Sequence, residues 1–122
     1  MYTFSKEERL CSHKLLNELF TDGNSLYLHP FKIRFLDCIH EEGYPAKVVF
    51  SVSKRNFKKA VHRNRIKRMC REAYRLFKPE FYQLLVEKNK SIALAVVYVA
   101  REEIPFEIIN KKLIQILKKT CL

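Results

Sequence analysis

The stretch that decides the fold runs from residue 54 to residue 78 and reads KRNFKKAVHRNRIKRMCREAYRLFK. Its apolar side chains recur at intervals of three and four residues, at Ile66, Met69, Cys70, Ala73 and Phe77. Such a stripe is typical of a helix that packs on a hydrophobic core. We therefore predict a helix from Asn64 onward that ends at Pro79, because proline lacks the N–H needed to continue a helix.

The same stretch carries nearly all of the excess positive charge. It holds eleven Lys and Arg residues and the single acid Glu72, a net +10 of the chain's +11. One side of the predicted helix collects Asn64, Lys67, Arg68, Arg71 and Arg75. A field concentrated in this way attracts a polyanion, and the run Arg63-Asn64-Arg65 supplies planar donor groups that suit phosphates and base edges. The predicted partner is a nucleic acid.

A short amphipathic helix is predicted near the start of the chain. Its apolar residues form two adjacent i,i+4 pairs, at Leu15, Leu16, Leu19 and Phe20. Asp22-Gly23 marks its end. Ser5, with Glu8 three residues later, and Ser12 are both candidate N-caps, and we favour Ser12.

Two segments alternate with the period of a half-buried strand, residues 31–35 and residues 48–52. If the large apolar side chains define the core side, the opposite face carries Lys32, Arg34, Ser51 and Ser53. That face is basic and low in bulk, so it suits an extended single strand of nucleic acid. A solvated outer face would show the same pattern.

The last third of the chain predicts one more strand and one more helix. Residues 92–100 are continuously apolar and rich in β-branched residues, as in a strand covered on both faces, and Arg101 follows directly. From Phe106 to Lys119 the apolar residues again follow helical spacing. The predicted order is helix, strands, helix, strand, helix.

Composition predicts one domain over residues 1–122. The chain has 48% hydrophobic residues and only two glycines, with no repeat or linker-like tract. The charged N-terminal segment does not resemble a signal peptide, and the longest apolar run is too short to span a bilayer, so we expect a cytoplasmic protein. The cysteines, Cys11, Cys38, Cys70 and Cys121, are scattered and are interpreted as thiols rather than as zinc ligands or disulfides.

Catalysis by the chain itself finds little support in the sequence. We recognise no nucleophile and base set, no Gly-rich phosphate loop and no metalloprotease His pair. Asp37, Glu41 and Glu42 could in principle hold a metal, but acids at a strand end or in a turn are more often solvated. The four histidines, His13, His29, His40 and His62, are distant from one another in sequence. No metal site is predicted.

The chain closely resembles the protein subunit of bacterial ribonuclease P. Residues 50–55 read FSVSKR, residues 60–68 read AVHRNRIKR and residues 71–73 read REA. The resemblance extends to Arg9-Leu10, to Phe20 through Gly23, to Val-Ala-Arg ending at Arg101 and to the closing helix, in the family's order.

The resemblance implies an α+β fold, a single-domain α/β sandwich in the order α-β-β-β-α-β-α. It also implies a left-handed βαβ crossover between parallel strands, a hand that periodicity could not have indicated because most such crossovers are right-handed.

The resemblance further implies a protein cofactor of a catalytic RNA, in an endoribonuclease that removes the 5′ leader of precursor tRNA. The RNA would hold the Mg²⁺ ions and perform the chemistry. Residues implied to face the catalytic RNA are Lys54, Arg55, Arg63, Asn64, Arg65, Lys67, Arg68 and Arg71. Residues implied to line a cleft for the single-stranded leader are Leu16, Phe20, Arg34, Ser51, Ser53 and Arg101.

Three departures from the family pattern bear on this assignment. Leu16 stands where a cleft aromatic is common, and Arg34 stands where a strand aromatic is often seen. The loop 56–59 lacks the usual glycine and is a residue longer. Two rival hypotheses remain, a ribosomal-type protein that only stabilises folded RNA and a protein-only nuclease. The first would need no leader cleft, and the second would cut RNA alone.

Overall fold

Three helices and one four-stranded sheet make up the fold in the computed structural model, which describes residues 13–38 and 43–121. In chain order the elements are α1 (His13–Asp22), β1 (Asn24–Leu28), β2 (Phe31–Asp37), β3 (Ala46–Val52), α2 (Ala60–Glu87), β4 (Ile92–Tyr98) and α3 (Phe106–Thr120). The predicted order α-β-β-β-α-β-α is confirmed. Ser5, Ser12 and Arg9-Leu10 lie outside the described residues.

The sheet has the strand order β1-β2-β4-β3. β1 pairs antiparallel with β2, and β2 pairs antiparallel with β4. β3 pairs parallel with β4, so the connection between these two neighbours crosses over through α2. The fold is therefore the predicted α+β arrangement with a mixed sheet, and the left hand of the crossover stays a prediction.

The two faces of the sheet have different covers. One face contributes Phe31, Ile33, Val48, Leu94 and Val96 to the main core, together with buried residues of α2 and α3. The other face is covered by α1, whose Leu19 packs on Ala93 and Ala95. Every residue from Ile92 to Val96 is buried, which confirms the prediction of a strand covered on both faces. The small Ala93 and Ala95 side chains let α1 approach the sheet closely.

α1 ends at the predicted place for a steric reason. The Gly23 N–H donates to the Leu19 carbonyl oxygen at 3.1 Å. A Cβ on Gly23 would lie 2.4 Å from that same oxygen, so a side chain there would force the backbone apart. Glycine therefore allows the chain to leave the helix and enter β1 directly.

The predicted bounds of α2 were wrong at both ends. The helix begins at Ala60 and ends at Glu87, with Pro79 inside it. A proline inside a helix costs about 3 kcal/mol or more. The helix nevertheless continues because Phe81 and Leu85 are fully buried beyond the proline, and each such side chain contributes about 1.5–3 kcal/mol.

Candidate nucleic-acid interface

The N-terminal half of α2 presents a row of solvent-facing polar and cationic side chains, which we call the ridge: Asn64, Lys67, Arg68 and Arg71. Asn64, Arg68 and Arg71 are exposed and Lys67 is half-buried, as expected for the side opposite the buried Ile66 and Cys70. The flanking Lys54 and Arg55 are exposed in the loop before the helix. The structure thus places these predicted cations on a rigid helix and the loop that leads into it.

Arg63 faces the loop that precedes α2. Its Nη1 donates to the carbonyl oxygens of Phe57 at 2.7 Å and Lys58 at 2.9 Å. The same loop is held from the other side by Asn56, whose Nδ2 donates to the Val99 carbonyl oxygen at 3.3 Å. Because a guanidinium has five N–H donors, Arg63 can fix the loop and still offer donors to a phosphate.

Arg65 is paired with an acid from another element. Its Nη1 lies 3.3 Å from Oε1 and 3.2 Å from Oε2 of Glu103, in the loop between β4 and α3. His62 Nδ1 lies 3.7 Å from Oε1 of the same carboxylate. No local pattern predicts this pairing, because the partners are 38 residues apart.

Arg75, predicted on the cationic side of α2, is engaged within its own helix. Its Nε donates to Oε2 of Glu72 at 3.1 Å, three residues earlier. This hydrogen bond lowers the pKa of Glu72 and raises the pKa of Arg75, because it stabilises both charged forms. Because Arg75 is paired with Glu72 on its own helix, we end the ridge at Arg71.

A second polar surface lies on the α1 face of the sheet. The register places Ser51 opposite Val97, Val97 opposite Lys32, and Lys32 opposite Tyr27, so these four side chains form one row across the sheet. Ser51, Lys32 and Tyr27 are exposed. The prediction that Lys32, Arg34 and Ser51 share the face away from the main core is confirmed by the register. Ser53, the fourth residue of that prediction, lies just beyond the end of β3.

Phe20 and Arg34 meet where α1 borders this surface. The Arg34 guanidinium carbon lies 5.8 Å from the centre of the Phe20 ring, and Arg34 Nη1 donates to the Phe20 carbonyl oxygen at 3.1 Å. Phe20 as a whole residue remains 51% exposed, so its ring and the neighbouring cation can both contact a ligand. Leu16 instead packs between α1 and the sheet beside Leu19, where it supports the helix.

Ser53 and Arg101 lie just beyond the carboxyl ends of the parallel strands β3 and β4. Ser53 Oγ accepts the Arg55 N–H at 3.1 Å, so its hydroxyl stabilises the turn that presents Lys54 and Arg55. Arg101 is exposed. Because both residues follow paired parallel strands, they stand at the same end of the sheet as Ser51.

Sequence reasoning missed three contributors to these surfaces. Tyr27 is 63% exposed in β1, a strand whose five residues gave too short an alternation to be recognised alone. Asn56 and Glu103 act through contacts with distant parts of the chain. For Tyr27, the one signal was the aromatic side chain itself, which lies on the solvent-facing side of β1.

The candidate metal ligands and the Cys70 thiol can be located in the described structure. Within residues 13–38 and 43–121, no group of three His, Cys, Asp or Glu side chains could hold a metal ion. Of the candidate acids, Glu41 and Glu42 lie outside the described residues, as do His40 and Cys11. Burial raises the pKa of the Cys70 thiol to about 12, so this thiol stays protonated.

The described part of the chain contains no helix that is both long enough and apolar enough to cross a membrane.

Comparison with known proteins identifies the family. The model of the Ribonuclease P family matches residues 4–121. The ribonuclease P protein component of Porphyromonas gingivalis is 33% identical over 111 residues, covering 90% of this chain and 80% of the relative. That of Chlorobium phaeobacteroides is 33% identical over 118 residues, covering 88% of this chain and 81% of the relative.

Solved structures support the fold. The RNase P protein of Staphylococcus aureus has a TM-score of 0.74 at 21% identity, covering 93% of this chain and 94% of that one. The RNase P protein of Thermotoga maritima has a TM-score of 0.71 at 24% identity, covering 92% and 96%. The family match spans both polar surfaces, the exposed ridge of α2 and the sheet face beside α1, and this chain belongs to the ribonuclease P protein family.

Proposed function

We propose that this chain is the protein subunit of a ribonuclease P ribonucleoprotein, in which it binds both the catalytic RNA and the 5′ leader of precursor tRNA. In this proposal the RNA hydrolyses the phosphodiester and the protein has no active site of its own. The partners are therefore two RNAs, and the setting is the bacterial cytoplasm.

The observation that carries the proposal is the separation of two polar surfaces by the sheet. α2 packs on the main core side, while Lys32, Arg34 and Ser51 face the other side. A protein with surfaces on opposite sides can contact two polyanions at once without forcing them together. A purely structural RNA-binding protein would need only the ridge.

The ridge suits a folded RNA. Its cations are held at fixed spacing on a helix, and closely spaced phosphates favour such an arrangement. We assign contact with the catalytic RNA to Lys54, Arg55, Arg63, Asn64, Arg65, Lys67, Arg68 and Arg71. Arg63 and Arg65 would contribute donors that remain after their bonds to the loop and to Glu103.

The sheet face suits a flexible single strand. The exposed Phe20 ring offers a stacking platform, and Arg34 beside it offers a cation for a phosphate. We assign the leader to Leu16, Phe20, Arg34, Ser51, Ser53 and Arg101, with Leu16 and Ser53 acting mainly through the contacts that hold α1 and the turn in place.

Mg²⁺ is proposed to be held by the partner RNA. The protein would contribute positive charge that reduces repulsion between the leader and the catalytic RNA, so that fewer ions are needed for assembly. This contribution would appear as tighter binding of precursor tRNA rather than as new chemistry.

The test is cleavage of labelled precursor tRNA at low Mg²⁺. Three reactions are compared: a bacterial ribonuclease P RNA alone, this protein alone and the mixture. The proposal expects cutting at the mature 5′ end in the mixture only. Cutting by the protein alone would indicate a nuclease, and binding without rescue would indicate a structural RNA-binding protein.

A further inference from the structure

The loop between β4 and α3, residues 99–105, contains an acid directed at the cationic helix. Both Glu103 carboxylate oxygens lie within 3.3 Å of Arg65 Nη1, and His62 approaches one of them at 3.7 Å. Arg101, which we assign to the leader, is two residues away in the same loop. Glu103 therefore joins the leader-binding loop to the helix that we assign to the catalytic RNA.

The same loop is also held at its start. The Tyr98 hydroxyl donates to the Glu102 carbonyl oxygen at 2.6 Å, and the Val99 N–H donates to the Pro30 carbonyl oxygen at 2.8 Å. Asn56 reaches the Val99 carbonyl oxygen from the loop before α2. Further along, Ile104 packs against the main core. Glu103 adds the side-chain contact between this loop and α2.

These contacts close a ring around one end of the molecule. From Glu103 the ring passes through Arg65 into α2, from Arg63 to the carbonyl oxygens of the preceding loop, and from Asn56 back to Val99. It joins segments that we assign to both RNAs. A displacement of one segment is thus resisted by the others.

The Arg65–Glu103 pair adds too little to the folding stability to explain an acid at position 103. The Arg65 side chain is 55% exposed and that of Glu103 is 33% exposed, and ion pairs in such surroundings contribute about 0–1 kcal/mol. A carboxylate beside the ridge also weakens the local field that attracts RNA. A fixed position of the loop 99–105 would offset this weaker attraction for RNA.

We propose that Glu103 is a positioning residue that holds the loop 99–105 on α2 and so sets the position of Arg101 relative to the bound catalytic RNA. This inference rests on the proposed function. Loss of the Glu103 contact would then reduce the preference for precursor over mature tRNA while leaving the affinity for the catalytic RNA undiminished.

The test compares Glu103→Gln with Glu102→Gln in the assembled holoenzyme. Both variants remove one negative charge from the same exposed loop, but only Glu103 contacts Arg65, and the Glu102 carbonyl oxygen that binds Tyr98 is unchanged. The readout is the ratio of dissociation constants for mature and precursor tRNA at saturating protein. We expect Glu103→Gln to lower this ratio by about two- to five-fold, the range that an exposed pair can transmit, and Glu102→Gln to leave it unchanged.

A second readout is the affinity of each variant for the catalytic RNA, which should not fall. Thermal melting of each variant confirms that the fold is retained. An unchanged ratio in Glu103→Gln, an equal loss in both glutamine variants, or a weaker affinity of Glu103→Gln for the catalytic RNA would overturn the inference. Failure of the unmodified holoenzyme to prefer precursor tRNA would instead contradict the proposed function.

Discussion

Neutralising two cations of the ridge should lower the salt dependence of RNA binding without reducing protein stability. The change is Arg68→Gln with Arg71→Gln. Both side chains are exposed on α2, one turn apart on the side away from the buried Ile66 and Cys70. Their removal leaves the core packing of the helix intact.

The magnitude follows from counterion release. Each phosphate contact contributes roughly 0.7 to 0.9 to the slope of log affinity against log salt, so two lost contacts should reduce the slope by about 1.4 to 1.8. At about 0.1 M salt this corresponds to a loss of roughly 25- to 60-fold, if the affinity extrapolated to 1 M is unchanged.

The assay is a filter-binding titration with the catalytic RNA at several salt concentrations. The matched control is Lys111→Gln with Lys119→Gln, which removes the same charge from exposed positions of α3. If the control lowers the slope as much as the ridge variant, net charge rather than the ridge drives binding. An unchanged slope in the ridge variant would refute the assignment of these residues.

Four other outcomes are expected. Phe20→Ala should weaken binding of precursor tRNA by the equivalent of about 1–3 kcal/mol with little effect on mature tRNA, since one stacking platform is lost, as competition binding can show. Phe81→Ala should destabilise the fold by about 3–5 kcal/mol in urea, whereas the exposed Gln83→Ala should change it little; equal effects would contradict a helix that continues past Pro79. Burial raises the pKa of Cys70 from 9.0 to about 12. The contribution of the neutral Cys70 thiol to the free energy of unfolding should therefore be complete below pH 9 and decline between pH 9 and about 12. Cys70→Ala should reduce that decline in pH-dependent melting. Sulfate, phosphate or RNA should raise the melting temperature, because the crowded cations repel one another; a constant melting temperature across an anion titration would oppose this.

Local sequence patterns predicted those parts of the fold in which a residue's type alone indicates whether it is buried or ends a helix. The buried strand β4, the end of α1 at Gly23 and the apolar stripe of α2 are of this kind. The prediction that α2 ends at Pro79 gave the proline too much weight. Phe77, Phe81 and Leu85 already continued the apolar stripe at intervals of four residues. Burial of those side chains outweighs the missing N–H, and burial depends on the other elements.

The candidate site was predictable in its residue types and less so in its contacts. The alternation of β2 and β3 correctly placed Lys32, Arg34 and Ser51 on one face. The loop carbonyl oxygens that engage Arg63 and the acid that engages Arg65 come from folded loops, whose paths no periodicity encodes. β1 was not recognised because Tyr27, its outward-facing residue, is partly apolar and lies between Leu26 and Leu28, so apolar and polar residues do not alternate clearly there.

The central claim is that two faces of one small protein contact two different RNAs. The most direct test places a photo-crosslinking amino acid at Val61, two helical turns from Arg68 on the same side of α2, or at Tyr27 on the sheet face. Both positions are exposed, at 59% and 63%. In the holoenzyme bound to precursor tRNA, we predict crosslinks from position 61 to the catalytic RNA and from position 27 to the 5′ leader. Crosslinks from both positions to the same RNA would contradict the account.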